Sequence, residues 1–274
     1  MERLSILYKS KYGCMPASVT PLTGSASNRR YFRMTSDAGT CIGVIGTDVK
    51  ENNAFVTIAR HFRAKGINVP EVYAVCDNRS AHLHEDLGDG GLLDIKDETL
   101  LCKTMSMLPA IQYEGAEGLD FSVCYPQPSF DRRMVMFDLN YFKYCFLKPS
   151  GLEFDEVLLQ DDFERFADAL LEEDTDTFLY RDFNARNVMI CDNEPYFIDF
   201  QGGRRGPIYY DVASFVWQAR AKYPSAMKER MLDSYLEALA AYRTVDRNAF
   251  MSRLDLFILF RLLQVLGAYG FRGL

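Results

Sequence analysis

Residues 180–202 read Tyr180-Arg181-Asp182-Phe183-Asn184-Ala185-Arg186-Asn187, then Val188-Met189-Ile190, Cys191-Asp192-Asn193-Glu194-Pro195, Tyr196-Phe197-Ile198 and Asp199-Phe200-Gln201-Gly202. The apolar triplets 188–190 and 196–198 predict short strands, and Cys191 to Pro195 carries the turn chemistry that joins them into a β-hairpin. Asn187 directly precedes the first strand and Asp199 directly follows the second, so antiparallel pairing brings both to one open end, roughly 5 Å apart along the backbone. Amide and carboxylate oxygens are hard donors. They suit Mg²⁺, which keeps several waters and takes one or two carboxylates plus substrate phosphates. Asp182 stands in the loop before Asn187 and faces the same end, where a carboxylate can accept a proton from a substrate hydroxyl.

Upstream, residues 17–87 read as strands with one helix. Val19 to Thr23, Arg30 to Thr35 and Thr40 to Ile45 are short runs rich in branched and aromatic residues, separated by Gly24-Ser25-Ala26-Ser27-Asn28 and by Ser36-Asp37-Ala38-Gly39. Glu51 to Ala64 has apolar residues at helical spacing and stops at Gly66; Val72 to Cys76 and Ala81 to His84 add two strands. From Gly88 the periodicity becomes helical, over Leu92 to Leu108, Phe137 to Leu147, Phe154 to Leu171, Met227 to Tyr242 and Asn248 to Leu266. The expected fold is α+β. Residues 1–87 form a small antiparallel-sheet lobe with one helix, and residues 88–274 form a larger, mainly helical lobe.

The composition narrows the function. The 38 acidic and 31 basic residues give a net charge of -7, the wrong sign for a duplex-coating protein, so no nucleic-acid partner is expected. Seven cysteines, without a Cys-x-x-Cys pair, suggest neither a disulfide framework nor a zinc ribbon, and read as reduced thiols of a cytoplasmic protein. No run of 18 apolar residues occurs and the N-terminus has no signal-peptide pattern, so no membrane association is expected. The apolar-periodic C-terminal segment stops without a polar tail, which leaves room for a further C-terminal domain in the natural product. His82 and His84 alternate along one strand with no third ligand nearby and are assigned no chemistry. The 11 acids from Glu153 to Asp176 fall on the polar side of a helical pattern and read as a solvated face.

The loop, the hairpin bounded by two metal-ligand types and the Asp-Phe after it match the catalytic and metal-binding segments of kinases. The sequence resembles the phosphotransferase family that includes aminoglycoside phosphotransferases and choline kinases, which share the protein-kinase-like bilobal fold. Within it, Arg181-Asp182 to Asn187-Val188-Met189, Phe197 to Gly202, Arg204-Arg205-Gly206-Pro207 and Tyr210-Asp211-Val212-Ala213-Ser214 look most like bacterial anomeric kinases of N-acetylmuramate and N-acetylglucosamine. The resemblance implies ATP and Mg²⁺. It makes Asp182 the catalytic aspartate, Asn187 and Asp199 the metal ligands, and Asp211 a structural acid behind the catalytic loop. Gly24, Ser25, Ser27 and Asn28 would cover the ATP phosphates, where a turn can aim backbone N–H groups at an anion. Glu85 and Leu87 would belong to the adenine-binding hinge, and Glu51 fits the helix glutamate that pairs with a strand lysine.

That lysine is missing. The third strand, Thr40 to Gly46, contains none, and Arg33 and Lys50 are the nearby cations considered in its place. Tyr180 stands where a histidine is common. Arg204 and Arg205, five and six residues after Asp199, are guanidinium forks suited to carboxylates and polar oxygens. They favour a neutral or acidic sugar over a cationic antibiotic, unless acids such as Asp211 hold them; Arg133 is a further acceptor-side candidate. The expected activity is an ATP- and Mg²⁺-dependent small-molecule kinase acting on the anomeric hydroxyl of an N-acetylated amino sugar. The alternatives are a kinase of choline, an aminoglycoside, another sugar or a protein hydroxyl, and a catalytically silent nucleotide-binding regulatory module.

Overall fold

In a computed structural model of the protein, the structure describes residues 1–22 and 29–273. The chain forms two compact units. The first contains Met1–Leu101, Glu117–Pro128 and Ala185–Gly203; the second contains Cys102–Ala116, Ser129–Asn184 and Arg204–Leu274. The first unit thus holds residues 88–101, 117–128 and the hairpin segment in addition to residues 1–87.

The first unit is built on a five-stranded antiparallel sheet. The helix α1 (Glu2–Tyr12) leads into β1 (Ser18–Leu22), β2 (Arg30–Ser36) and β3 (Gly39–Ile45). After α2 (Val49–Ala64) come β4 (Val72–Val75) and β5 (Ala81–Glu85), in the spatial order β1-β2-β3-β5-β4. Side chains alternate across a strand, so the two faces can be read from the register. Met34 pairs with Cys41, and Gly43 pairs with Leu83. On that face Leu4 and Tyr8 of α1 form a buried core with Met34, Cys41, Ala81 and Leu83. Tyr31 pairs with Val44 and Val44 with His82, while Arg33 pairs with Ile42 and Ile42 with His84, which defines the opposite face. There Phe55 of α2 lies 4.8 Å from the His82 ring and 5.4 Å from the His84 ring.

Two contacts fix α2. Asp48 caps it, with Oδ1 accepting from Lys50 N at 2.8 Å and Glu51 N at 3.2 Å, so Glu51 sits in a rigid first turn. Asn52 is 1% exposed and donates through Nδ2 to Gly46 O at 3.0 Å and Arg79 O at 2.9 Å. It ties the helix to the end of β3 and to the turn before β5.

The expected helix over Leu92 to Leu108 is two helices, α3 (Leu92–Ile95) and α4 (Glu98–Tyr113), because Lys96 takes the left-handed conformation at φ 52° and ends the first. The second unit contains α5 (Arg132–Phe142), which continues as a π-helical stretch over Lys143–Leu147, and α6 (Glu156–Leu171). A short ribbon of β6 (Thr177–Leu179) with β9 (Arg204–Gly206) precedes α7 (Tyr209–Val216), α8 (Ser225–Leu239) and α9 (Arg247–Phe271). The expected hairpin belongs to the first unit as β7 (Val188–Cys191) and β8 (Glu194–Phe197). Its turn is shorter than the sequence suggests. Asp192 at φ 50° and Asn193 at φ 63° make a two-residue connection with both residues left-handed, a conformation that Asp and Asn tolerate. Pro195 lies within β8, in a ribbon of only two strands where a missing N–H can face outward.

By length and composition α9 is apolar enough to cross a membrane, although no membrane association was expected. Phe250, Leu254, Phe257, Phe260 and Gly267 are buried within the second unit, and Leu259, Leu262, Tyr269 and Phe271 are exposed.

Asn52→Ala removes two buried hydrogen bonds and leaves two carbonyls to find other partners. The expected cost is about 1–3 kcal/mol, measured as a lowered midpoint in urea unfolding.

Candidate active site

The hairpin delivers Asn187 and Asp199 as its pattern predicts. Val188 pairs with Phe197, and Ile198 N donates to Asn187 O at 3.0 Å, so the flanking residues emerge together. Asn187 Nδ2 reaches Asp199 Oδ2 at 3.4 Å. Asp199 itself is left-handed at φ 68° and opens a 3₁₀ turn, Phe200–Gly202. The Phe200 ring is held between Phe55, at 5.0 Å, and Phe62, at 5.7 Å, both from α2. The helix that carries Glu51 thus packs directly on the turn that carries Asp199.

Asp199 Oδ1 collects two more donors. Gln201 Nε2 lies at 2.7 Å and Arg29 Nη2 at 3.3 Å. The same Arg29 nitrogen is 3.2 Å from Glu51 Oε1. Arg29 is 6% exposed, and its guanidinium carbon lies 5.7 Å from the centre of the Tyr31 ring. The pairing expected between Glu51 and a strand lysine is therefore made with an arginine just before β2. Neither nearby alternative takes that place. Arg33 is turned to the hinge, with Nε and Nη2 on Asp86 at 2.7 and 3.0 Å and with Nη2 and Nη1 on Asp89 at 2.9 and 3.0 Å. These carboxylates push its pKa up. Lys50 is exposed in the first turn of α2.

The hinge residues are held within the first unit. Glu85 Oε2 accepts from Glu71 N at 3.1 Å, and Leu87 O accepts from Cys191 Sγ at 3.0 Å. Gly24, Ser25, Ser27 and Asn28 lie outside the described residues.

In the second unit Asp182 follows β6. Asp211, in the first turn of α7, is fully buried and accepts from Tyr180 N at 2.7 Å and Arg181 N at 2.9 Å. These bonds hold Arg181 in the left-handed region at φ 76°, one residue before Asp182. Burial pushes the Asp211 pKa up to about 7 against the two N–H donors, which favour its charged form. Tyr180 is fully buried, with its ring edge-on to Phe178 and Phe183, so a packing aromatic occupies the position where histidine is common. Asn184 Nδ2 donates to Asp182 O at 2.9 Å.

The three arginines expected on the acceptor side differ. Arg204, on β9 opposite Leu179, is 2% exposed, and its Nη1 lies 3.1 Å from Met134 Sδ; burial pulls its pKa down to about 10. Arg205 is half-exposed and 3.8 Å from Asp176, and Arg133 is exposed. A network that the periodicity does not reveal joins three helices of this unit. Gln264 Nε2 donates to buried Asp138 Oδ2 at 2.7 Å, Tyr210 Oη donates to Gln264 Oε1 at 2.9 Å, and Arg261 donates to Tyr210 Oη at 3.0 Å and Ser214 Oγ at 2.9 Å.

The Asn187–Asp199 donor set fits Mg²⁺. One carboxylate and one amide stand side by side, and Asp199 is 30% exposed. Gln201 Oε1 is buried beside them without a hydrogen-bond partner among the described residues. Asn187 would offer its oxygen after a half-turn of the amide. Among the described residues no three His, Cys, Asp or Glu gather as a metal-binding group. An ion here would complete its shell with water and phosphate oxygens, as Mg²⁺ commonly does.

The family described as the phosphotransferase enzyme family matches residues 125–246. An amicoumacin kinase, solved with AMP-PNP and Ca²⁺, is 14% identical and superposes with a TM-score of 0.69 over 98% of this chain and 87% of that one. A spectinomycin phosphotransferase, 13% identical, gives 0.68 over the same shares. The fold is the protein-kinase-like fold of these two enzymes, and over residues 125–246 the chain resembles the phosphotransferase enzyme family. Among proteins of known activity, the chain is similar to the N-acetylmuramate/N-acetylglucosamine kinases of Pseudomonas aeruginosa, 26% identical over 80% of this chain, and of Pseudomonas putida, 27% identical over 98%. The matches span 65% and 81% of those two relatives.

Because the folded pKa of Asp211 lies above its ordinary 3.8, the stability it confers is full below that value and is lost as pH rises through about 7. The advantage of the wild type over Asp211→Asn is therefore expected to shrink by a few kcal/mol between about pH 4 and 7 and to stay level above. Urea-unfolding free energies of both proteins across that range measure it; parallel profiles would contradict the assignment.

Proposed function

We propose that the protein is an ATP- and Mg²⁺-dependent kinase that phosphorylates the anomeric hydroxyl of an N-acetylated amino sugar, in the cytoplasm. The observation that carries the kinase reading is the cluster of Asn187, Asp199, Arg29 and Glu51, two oxygen-bearing metal-ligand types beside a buried cation. The choice of sugar is supported by the relatives named above, because fold alone does not define an acceptor.

In this reading Asp182 accepts the proton of the acceptor hydroxyl as its oxygen bonds to the γ-phosphorus. The bond from that phosphorus to the β,γ-bridging oxygen breaks, and ADP leaves with the electron pair. Asp211 acts at a distance by fixing the backbone before Asp182. Asn187 and Asp199 would hold Mg²⁺, which supplies charge neutralisation on the phosphates. Little covalent chemistry is left for the protein, so position and electrostatics carry the rate. A small-molecule acceptor follows, neutral or acidic. Of the acceptor-side cations, Arg205 is half-exposed and Arg133 exposed, whereas buried Arg204 helps build the loop.

Release of ADP from Mg-ATP with N-acetylglucosamine, N-acetylmuramate, choline or kanamycin tests the proposal. Stimulation is expected with the acetylated sugars. Asp182→Ala should lower it by about 10²–10⁴-fold, and Asp199→Ala should remove its dependence on Mg²⁺ along with turnover. Stimulation by choline or kanamycin alone would replace the acceptor assignment. ATP binding without stimulation by any acceptor would favour a regulatory nucleotide-binding module.

A further inference from the structure

We infer that Arg29 is the cation that binds the nucleotide's phosphates in this protein, in place of a lysine on β3, and that it also holds the helix glutamate and Asp199 together before nucleotide arrives. The inference rests on the kinase reading and adds to it a residue that no sequence pattern marked.

The sheet face opposite α1 carries Tyr31, Arg33, Ile42, Val44, His82 and His84. Arg33 is spent on Asp86 and Asp89 at the hinge end. Burial lowers the pKa of both histidines, that of His84 to about 4, so both are neutral at physiological pH. On β3 the three residues on this face, Thr40, Ile42 and Val44, carry no charge. Positive charge reaches the Glu51–Asp199 end through Arg29, whose guanidinium stands over the Tyr31 ring and hence beside the Tyr31–Val44 pair.

The charges say why a ligand belongs there. One guanidinium faces two carboxylates, so the cluster carries a net single negative charge. A divalent ion on Asp199 turns that sum to a single positive charge. It also draws on the Asp199 carboxylate, whose Oδ1 Arg29 Nη2 contacts at 3.3 Å. A cation displaced from one anion in a buried place requires another anion, and the guanidinium fork matches phosphate oxygens. Arg29 directly follows Asn28, the last residue of the run expected to cover the phosphates, so the backbone already brings it to that end of the sheet.

The test is equilibrium binding, by calorimetry, of AMP-PNP and of adenosine in the presence of Mg²⁺. Wild-type protein is expected to prefer AMP-PNP. Arg29→Ala should weaken AMP-PNP binding by about 10- to 100-fold while leaving adenosine within about twofold. Should that variant fail to fold, Arg29→Gln keeps much of the aliphatic stem without the charge and decides the point in the same assay. Adding Val44→Lys to the uncharged variant should restore at least about tenfold of the preference, which a merely structural role for Arg29 would not allow. An intact preference in a folded Arg29 variant, or a folded double variant that regains none, overturns the assignment while the kinase reading stands. A wild-type chain that binds neither ligand overturns both.

Discussion

A single buried guanidinium organises the first unit. Arg29 touches Glu51 from α2 and Asp199 from the turn after β8, and it directly precedes β2. Three segments far apart in sequence are thereby referred to one charge. Such a contact is costly to assemble, since each ion gives up water, and costlier to break, since removing the cation leaves two carboxylates facing each other. That asymmetry gives it positional strength without requiring much net stabilisation. The supporting contacts share the same logic: Asp48 caps α2, Asn52 ties it to β3, and Phe200 wedges between Phe55 and Phe62.

The second unit uses a carboxylate in the corresponding role. Asp211 accepts from two successive backbone N–H groups and so sets the path of the chain into Asp182. A buried acid whose pKa is pushed to about 7 is an expensive device. Its role is positional: it fixes the left-handed residue that directly precedes Asp182. The bonds among Asp138, Gln264, Tyr210 and Arg261 stiffen the helices behind it, and each of these four side chains has a partner on another helix.

Much of this was legible in the sequence. The hairpin flanked by Asn187 and Asp199 follows from two short apolar runs joined by turn residues, and the alternation of short strands and one helix in residues 17–87 predicts the five-stranded sheet with α2. What escaped has physical reasons. The helix α1 buries only Leu4 and Tyr8, too few to mark a stripe. All eight residues of α7 are buried, so it has no polar face to give a period. The strands β6 and β9 are three residues each, and pair across a separation that local pattern cannot see. Arg29 escaped for a different reason. Its partners come from a helix and a turn that only the folded chain brings to it, and on the sequence it is one basic residue in the run Arg29-Arg30.

The location of that arginine changes what the sheet can tolerate. A lysine within β3 would put a charge among Val44, Tyr31 and His82, where His82 is 1% exposed and neither ring nitrogen has a hydrogen-bond partner among the described residues. Burial and the positive charge of Arg29 both keep that histidine neutral. With the cation supplied from the entrance of β2, the middle of the sheet can remain apolar and uncharged, and Phe55 can stack on His82 at 4.8 Å. The same ring then supports Phe200 and, through it, Asp199. With the charge held at the start of β2, the aromatic stack runs uninterrupted from β5 through α2 to the turn after β8. The charge cluster and the apolar packing beneath it thus share one helix, α2, which supplies Glu51 to the first and Phe55 and Phe62 to the second.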